Sequence, residues 1–176
     1  MKLTPAQEKF VVHWGEMGSR WGINRTVAQI HALLYLYPKP LNAEEITETL
    51  SVARSNVSNS LRELQGWGIV KVVHVLGDRR DHFESMKDVW EMFRIIVEER
   101  KRREIDPTLA MLRDCVATAE QGGAAEAQTR ERLANMQEYF ETMTIWYDAL
   151  NKLSTDGIRR FIKMGSKIPK VLGLVS

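Results

Sequence analysis

The segment ARSNVSNSLRELQGWGIV, residues 53–70, decides the fold class of this 176-residue chain. Val57, Leu61 and Leu64 recur at the spacing of one helical face, and glycines follow at the C-terminal end. The other face is rich in serine and asparagine, which are mediocre helix formers because their side chains compete for backbone hydrogen bonds. A purely structural surface helix favours alanine, glutamate and lysine. The pattern therefore indicates a helix with one buried face and one face that contacts something else.

Capping signals predict three more helices before this segment. Thr4-Pro5-Ala6-Gln7 is a capping box with proline at the first helical position, and later glycines weaken that helix and predict its end. Asn24 begins a second helix, which Pro38 ends. Asn42, with a glutamate three residues later, caps a short helix over roughly residues 43–50.

The residues after the segment change from a helical to a β pattern. Residues 69–76, IVKVVHVL, are rich in β-branched side chains, Gly77-Asp78-Arg79-Arg80 is turn-like, and residues 81–85 can return as a second strand. Helices followed by a two-stranded hairpin with a basic tip predict a winged helix-turn-helix. The opening segment then occupies the position of the recognition helix.

This position explains the short polar side chains. A helix in the major groove must approach the DNA closely, and asparagine, arginine and serine can pair with base edges or phosphates. Residues 51–80 carry five basic residues against two acidic ones, a net charge of +3, which suits an anionic partner. The predicted DNA-binding residues are Arg54, Ser55, Asn56, Ser58, Asn59, Arg62, Arg79 and Arg80. The alternatives are an exposed helix with no special role, and a winged helix that binds protein instead of DNA.

From residue 86 onward the pattern is helical. Residues 86–104, 105–120 and 124–153 predict helices, another begins near Ser154, and the tail after Gly165 is expected to be irregular. The longest helix carries a heptad seam, Leu133, Met136, Phe140, Met143, Tyr147 and Leu150. The seam predicts a homodimer interface, with packing inside one chain as the alternative. The expected fold class is mainly α, with a winged helix-turn-helix domain over residues 1–88 and a helical dimerisation region, with a possible effector site, over residues 89–176.

The sequence also resembles a known family. The stretch LNAEEITETLSVARSNVSNSLRELQGWGIVKVVHVLGDRRDHFES, residues 41–85, carries the resemblance, with FVVHWGEMGSRWGINRTVAQIHALLYL before it and KDVWEMFRIIVEERKRREIDP after it. It resembles the GbsR-type branch of the MarR-like bacterial transcriptional regulators. The resemblance implies a homodimeric regulator, usually a repressor, that binds a double-stranded DNA operator. One departure is Ala53, because such helices commonly begin Val-Ser-Arg and alanine cannot cap; Ser51 or Ser55 would have to substitute.

Some relatives of this type control glycine-betaine or choline genes, so the resemblance implies a possible small-molecule effector. Aromatic side chains can bind a quaternary ammonium group by cation–π attraction. The candidate effector-binding residues are Trp14, Trp21, Trp90 and Trp146. All four lie on helical stripes, and packing in the core is the favoured explanation of them.

Composition and motif spacing exclude several other classes. No apolar run is long enough to span a membrane and the N-terminus lacks the apolar core of a signal peptide, so a cytoplasmic protein is expected. His13, His31, His74 and His82 lack metal-ligand spacing, and no metal or cofactor is expected. Cys115 is expected to be a buried structural thiol. No nucleophile-base pair or phosphate loop stands out, so the chain is not expected to be an enzyme.

Overall fold

A computed structural model describes residues 2–165, and the tail predicted to be irregular lies outside the described residues. The described chain is mostly helical, with three short strands. In chain order the elements are α1 (Pro5–Arg20), α2 (Arg25–Leu36), β1 (Leu41–Asn42), α3 (Ala43–Leu50), α4 (Arg54–Gly66), β2 (Val70–Val73), β3 (His82–Ser85), α5 (Val89–Arg100), α6 (Asp106–Gln121), α7 (Ala127–Asn151) and α8 (Thr155–Met164). A π-helical turn, Lys101–Ile105, joins α5 to α6, and a 3₁₀ turn, Gly123–Glu126, precedes α7.

The contacts of the chain divide it into two compact units, Met1–Ile95 and Ile96–Ser176. The sequence places the domain boundary between residues 88 and 89, whereas this division falls inside α5. The physical reason lies in the first half of α5, because Val89 and Met92 line a cavity together with side chains of α1 and α2.

In the N-terminal unit, the predicted winged helix-turn-helix is confirmed, including its helix starts. Thr4 and Asn42 form capping boxes with Gln7 and Glu45, and the Asn24 side chain accepts a hydrogen bond from the N–H of Thr26. Each cap offers an acceptor to an N–H group that the helix itself cannot pair, which fixes where the helix begins.

Helix α2 is the centre of the core of this unit. Its residues Val27, Ile30, Leu33 and Leu34 are almost fully buried. Helix α1 packs closely against it, because a Cβ added at Gly18 would lie 2.4 Å from the Cβ of Ala28. The glycines inside α1 therefore allow a close helix contact, and only Gly22, with φ of +77°, follows the end of the helix.

The wing differs from the sequence prediction in the length of its first long strand and in the number of strands in its sheet. Strand β2 covers only Val70–Val73, so residues 74–76 belong to the loop and not to the strand. The sheet has a third strand, because β1 pairs antiparallel with β3, giving the order β1-β3-β2. A two-residue strand has no periodicity to recognise, so only its partner reveals it.

Lys87 joins the exit of the wing to the end of α2. Its ammonium Nζ donates hydrogen bonds to the carbonyl oxygens of Leu34 and Tyr35 at 2.8 Å and of Tyr37 at 3.0 Å. The last carbonyls of a helix lack intrahelical partners and carry the negative end of its dipole, so a cation there is stabilising. Lys87 thus fixes the chain that leaves β3 against the helix at the centre of the core.

In the C-terminal unit, α6 packs on α7, and Arg113 of α6 forms an ion pair with Glu141 of α7 at 2.9 Å. The helix predicted to start anew at Asp106-Pro107 instead continues from the π-helical turn, where the N–H of Asp106 bonds to the carbonyl of Lys101. Proline lacks an N–H and its ring clashes with the carbonyl four residues earlier. A wider turn relieves both problems without ending the helix.

A polar network ties the π-helical turn to α7. Lys101 donates to the Asp106 carboxylate at 2.9 Å, and this hydrogen bond raises the pKa of Lys101. The Lys101 ammonium also lies 5.7 Å from the centre of the Tyr147 ring. Tyr147 and Asn151 in turn donate hydrogen bonds to the carboxylate of Glu98.

The heptad seam of α7 remains open in a single chain. None of the described side chains of α7 is fully buried, and Met136 keeps 53% of its surface exposed. An apolar groove of about 380 Å³ runs along α7 and the π-helical turn. Its walls include Ile105, Tyr139, Phe140, Met143 and Trp146. Among the described residues, packing inside one chain therefore covers the seam only in part, since Leu133, Phe140, Tyr147 and Leu150 are half-buried.

Candidate nucleic-acid interface

Helix α4 divides into a packed face and an accessible face. Val57, Leu61 and Leu64 are at most 2% exposed, and they hold α4 on α2. Burial of side chains of this size contributes about 1.5–3 kcal/mol each. The six residues predicted to contact DNA from this helix lie away from the packed stripe: Arg54, Ser55, Asn56, Asn59 and Arg62 are exposed, and Ser58 is half-buried. The exception among the serines is Ser60, which is buried.

The N-terminus of α4 carries no side-chain cap. Ala53 occupies the N-cap position and neither of the neighbouring serines substitutes for it. Ser51 instead ends α3 in the left-handed conformation, with φ of 52°. The start of the helix, which the sequence left open, is thus Arg54, and no serine supplies the missing cap. The first turn of α4 presents N–H groups that can donate hydrogen bonds to a water molecule or an anion.

Two arginines of α4 are held by local contacts. The Arg54 guanidinium donates to the Ser58 hydroxyl at 2.6 Å and to the Glu44 carboxylate of α3 at 3.3 Å. Arg62 donates to the side-chain oxygen of Asn59 at 3.2 Å. These contacts restrict the rotamers of long side chains, so less entropy remains to be lost when a ligand binds.

The wing holds its own arginine more firmly. Arg80 makes a two-pronged contact with the Asp78 carboxylate, with Nε at 2.9 Å from Oδ1 and Nη2 at 2.6 Å from Oδ2. The Arg80 N–H also donates to Oδ1 of Asp78, at 3.0 Å. These charge-assisted hydrogen bonds hold the pKa of the Asp78 carboxyl well below its usual range. Buried His82 anchors the same loop, with Nδ1 lying 3.0 Å from the carbonyl oxygen of Arg80.

The arginines of α4 and of the wing face one cleft. A polar cleft of about 340 Å³ is lined by Arg54, Arg62 and Arg80, together with Ser58 and Gln65. Arg79 is exposed on the wing beside it. Glu44 and Asp81 line the same cleft, so three guanidinium groups face two carboxylates. The small positive excess that remains favours an anionic polymer.

The four candidate effector tryptophans do not form one box. Trp14 and Trp21 contact each other within the N-terminal unit, with ring centres 5.7 Å apart. Trp90 is half-buried on α5, and Trp146 lines the groove of the C-terminal unit. None of the four is buried, so the interpretation that they form the core is wrong for a single chain. The aromatic residues do recur at helical spacing, but spacing alone does not say whether the face of a helix is covered.

A separate apolar cavity of about 190 Å³ lies between α1, α2 and α5. Phe10, Trp14, Tyr35 and Met92 line it, and His31 forms part of its wall. The imidazole is 95% buried, and its Nε2 atom has no hydrogen-bond partner among the described residues. Burial, and secondarily the charge of Lys87, lower the pKa of His31 to about 4. The ring is therefore neutral near pH 7, and its Nε2 is a buried polar atom that is unsatisfied among the described residues.

Sequence reasoning missed the carboxylates that position the arginines. Glu45 caps α3, whereas the neighbouring Glu44 contacts Arg54. Asp78 was counted only as a negative charge in the turn. An acidic residue two positions before an arginine in a tight turn is the signal that could have identified it. The predicted structural thiol, Cys115, is only half-buried, with its sulfur 3.5 Å from that of Met111.

Two searches of the described residues bear on other classes of site. No group of three or more histidine, cysteine, aspartate or glutamate side chains within residues 2–165 is placed to hold a metal ion. In the same part of the chain, no helix combines the length and the apolar character needed to cross a membrane.

The fold and the basic cleft together define a winged helix-turn-helix protein. Comparison with family models agrees, because residues 21–81 match the MarR family model. These residues run from the end of α1 to the wing and include the whole of α4. The match thus covers 61 of the 176 residues and lies within the winged-helix domain.

Two curated relatives from Bacillus subtilis (strain 168) align with half of this chain. The candidate HTH-type transcriptional regulator YvaV is 25% identical over 88 residues, which are 50% of this chain and 50% of YvaV. The HTH-type transcriptional repressor OpcR is 24% identical over 88 residues, 50% of this chain and 48% of OpcR. The chain thus matches about half the length of each of these relatives.

The fold also has a counterpart among solved structures. A crystal structure of a transcriptional regulator superposes with a TM-score of 0.56 and 21% sequence identity. The superposition covers 90% of this chain and 99% of the other. At this level of identity the likeness concerns the fold.

The ion pair between Asp78 and Arg80 can be tested, because two possible roles of Asp78 predict opposite changes in the affinity for duplex DNA. If Asp78 positions Arg80 for a DNA contact, Asp78→Ala should weaken binding of duplex DNA about three- to tenfold, because the freed side chain must be ordered on binding. If Asp78 only repels phosphates, the same change should strengthen binding. The control is Asp81→Ala, which removes an exposed charge from the same loop. Fluorescence anisotropy of both variants at one salt concentration separates the two effects.

Proposed function

We propose that this protein is a sequence-specific DNA-binding transcriptional regulator that acts as a homodimeric repressor of the MarR type, in the GbsR-type branch. The observation that carries the proposal is that residues of the accessible polar face of α4 and an arginine of the wing line the same basic cleft. A helix held by its apolar stripe presents its other face rigidly, as reading base edges in the major groove requires. OpcR is named as a repressor, which supports the direction of regulation proposed here.

The site residues take two kinds of role in this proposal. Asn56, Asn59 and Arg62 contact base edges, because amide and guanidinium groups can pair with adenine and guanine in two-pronged fashion. Arg79 and Arg80 contact the DNA backbone near the wing, and Arg54 contacts a phosphate at the N-terminus of α4. Ser55 and Ser58 can serve either role, since a hydroxyl both donates and accepts.

Base contacts and backbone contacts differ measurably. Asn59→Ala should weaken operator binding by about 1–3 kcal/mol and random DNA much less, because a base contact discriminates between sequences. Arg79→Ala should weaken both DNAs more evenly and lower the salt slope by about one. The operator is first selected from genomic fragments, and both DNAs are then titrated at several salt concentrations. Equal losses of Asn59→Ala on both DNAs would show that Asn59 does not read sequence.

The principal alternative is a winged-helix module that binds protein. It predicts weak retention on heparin, no enrichment of any genomic fragment, and little dependence of binding on salt. Those three results together would reject the DNA-binding proposal.

The open seam of α7 supports the homodimer. A face of this length with Met136, Phe140 and Met143 at heptad positions needs an apolar partner to cover it. A second copy is the partner that a helix-turn-helix protein requires, because two half-sites give the affinity that one half-site rarely supplies. The proposed roles of the two units are thus DNA binding and dimerisation.

Charge placed in the seam should separate the subunits. Phe140→Glu with Met143→Glu should dissociate the dimer and weaken operator binding by orders of magnitude, because burying an uncompensated charge costs several kcal/mol. The matched control is Thr142→Glu, an exposed position on the same helix outside the seam. Sedimentation velocity measures the assembly. A double variant that still sediments as a dimer and binds normally would exclude this seam as the interface.

The cavity beside His31 favours an additional property of the proposed regulator, namely that it responds to a small ligand. Aromatic walls around one unsatisfied polar atom suit a small molecule with an apolar body and one hydrogen-bonding group. Choline and betaine are the candidates that the sequence resemblance suggests, and Phe10, Trp14 and Tyr35 could attract a quaternary ammonium group. The ammonium of Lys87, 5.8 Å from the centre of the Tyr35 ring, opposes a simple cation. This favours betaine, which also carries a carboxylate.

A thermal shift tests the cavity. At millimolar concentration, betaine should raise the melting temperature and change operator affinity, because an effector must bind one conformation better than the other. His31→Leu should abolish the shift while leaving the apolar walls in place, and choline serves as the comparison ligand. The absence of a shift with both compounds would contradict their role as effectors.

A further inference from the structure

The tip of the wing carries a leucine that is fully exposed among the described residues. Leu76 has a relative exposure of 104%, and neighbouring Val75 is 42% exposed. Both lie in the loop between β2 and β3 that the sequence assigned to a strand. A leucine in this position gains no burial on folding.

The backbone of the loop fixes where Leu76 stands. The N–H of Asp78 bonds to the carbonyl of Val75 at 3.1 Å, which closes a four-residue turn. Gly77 has φ of +85°, the left-handed value that the third position of a type II turn requires. Leu76 has no such positive φ and occupies the outer corner. The turn therefore presents the leucine side chain outward at the end of the wing.

The surroundings of Leu76 indicate what could cover it. Arg79 and Arg80 follow Leu76 three and four positions along the chain, after Gly77 and Asp78. Arg80 is paired with Asp78 and lines the same cleft as Arg54 and Arg62 of α4. This tip is poorly suited to an apolar protein surface, because the exposed guanidinium of Arg79 would lose its water there. It suits the minor groove of duplex DNA, whose phosphate rims are negative and whose deoxyribose walls and base edges are largely apolar.

We propose that Leu76 is an apolar wedge that enters the minor groove beside the operator's major-groove contacts and partly unstacks one base step. The proposal rests on the proposed DNA-binding function and extends it to sequence positions that no side chain of α4 reaches. Arg79 and Arg80 hold the flanking phosphates while Leu76 contacts sugars and bases. The duplex bends away from the wedge, which brings more of it against the protein.

In this arrangement, the affinity of the protein depends on how easily the DNA deforms at the step beside Leu76. Pyrimidine–purine steps such as TA and CA unstack easily, whereas A-tracts are stiff. The wing should therefore prefer a flexible step where Leu76 lies, without any hydrogen bond to it. Because Leu76 contacts no phosphate, its removal should leave the salt dependence of binding unchanged.

The experiment combines protein and DNA variants. The selected operator is footprinted, and the step under the wing is placed as TA or as AA in two otherwise identical duplexes. Wild type, Leu76→Ala and Leu76→Met are titrated on both duplexes, and the bend is measured by energy transfer between dyes at the duplex ends. Leu76→Met is the matched control, because it keeps an apolar side chain of similar volume. A thermal melt of each variant confirms the fold, which a fully exposed side chain should not affect.

The expected pattern is specific. Leu76→Ala should lose about tenfold in affinity for the TA duplex, show a smaller bend, and no longer distinguish TA from AA. Leu76→Met should stay within about threefold of wild type on both duplexes. The salt slope should be the same for all three proteins.

Two kinds of failure can be told apart. A wild-type protein that enriches and binds no DNA would overturn the proposed function and the wedge with it. A wild-type protein that binds its operator, with Leu76→Ala giving the same affinity, bend and preference, would overturn the wedge alone. A Leu76→Ala variant that binds DNA normally but loses self-association would also overturn it, and would assign the tip to a protein contact.

Discussion

The site depends on the packing of α4 against α2. Val57, Leu61 and Leu64 bury one stripe of α4 almost completely, so the rotation of the helix about its own axis is fixed. The accessible face is the complement of that stripe, and rotating the helix by a quarter turn would bury arginine and expose leucine. Because α2 is buried on most of its surface, any shift of α4 also disturbs the contacts of α1 with α2.

Two carboxylates and one lysine hold the arginines of the site and the exit of the wing in defined positions. Glu44 and Asp78 hold Arg54 and Arg80, while Lys87 ties the exit of the wing to the last carbonyls of α2. Exposed ion pairs contribute little to stability. Their effect here is geometric, since each restricts an arginine that would otherwise sample many rotamers. The acidic residues of the proposed interface therefore position its arginines, although their own charge has the same sign as that of a phosphate.

The two units differ in how much of their apolar surface is buried within one chain. The N-terminal unit has a closed core around α2, whereas α7 of the C-terminal unit has no fully buried residue among those described. The polar network of Lys101, Tyr147 and Glu98 orders the C-terminal unit internally, yet it leaves Phe140 and Met143 at the edge of an apolar groove. The homodimer proposed above would cover that groove.

The sequence by itself determined the helix starts and the division of α4 into two faces. Thr4, Asn24 and Asn42 cap their helices through contacts within three residues, and the spacing of Val57, Leu61 and Leu64 is set by the helical period. Only the tertiary structure decided the rest. The strand at Leu41 exists because β3 pairs with it, and the Glu44 partner of Arg54 and the cavity walls around His31 come from other elements. Local patterns report contacts between residues near in sequence, whereas pairing, burial and cavities arise between residues that only folding brings together.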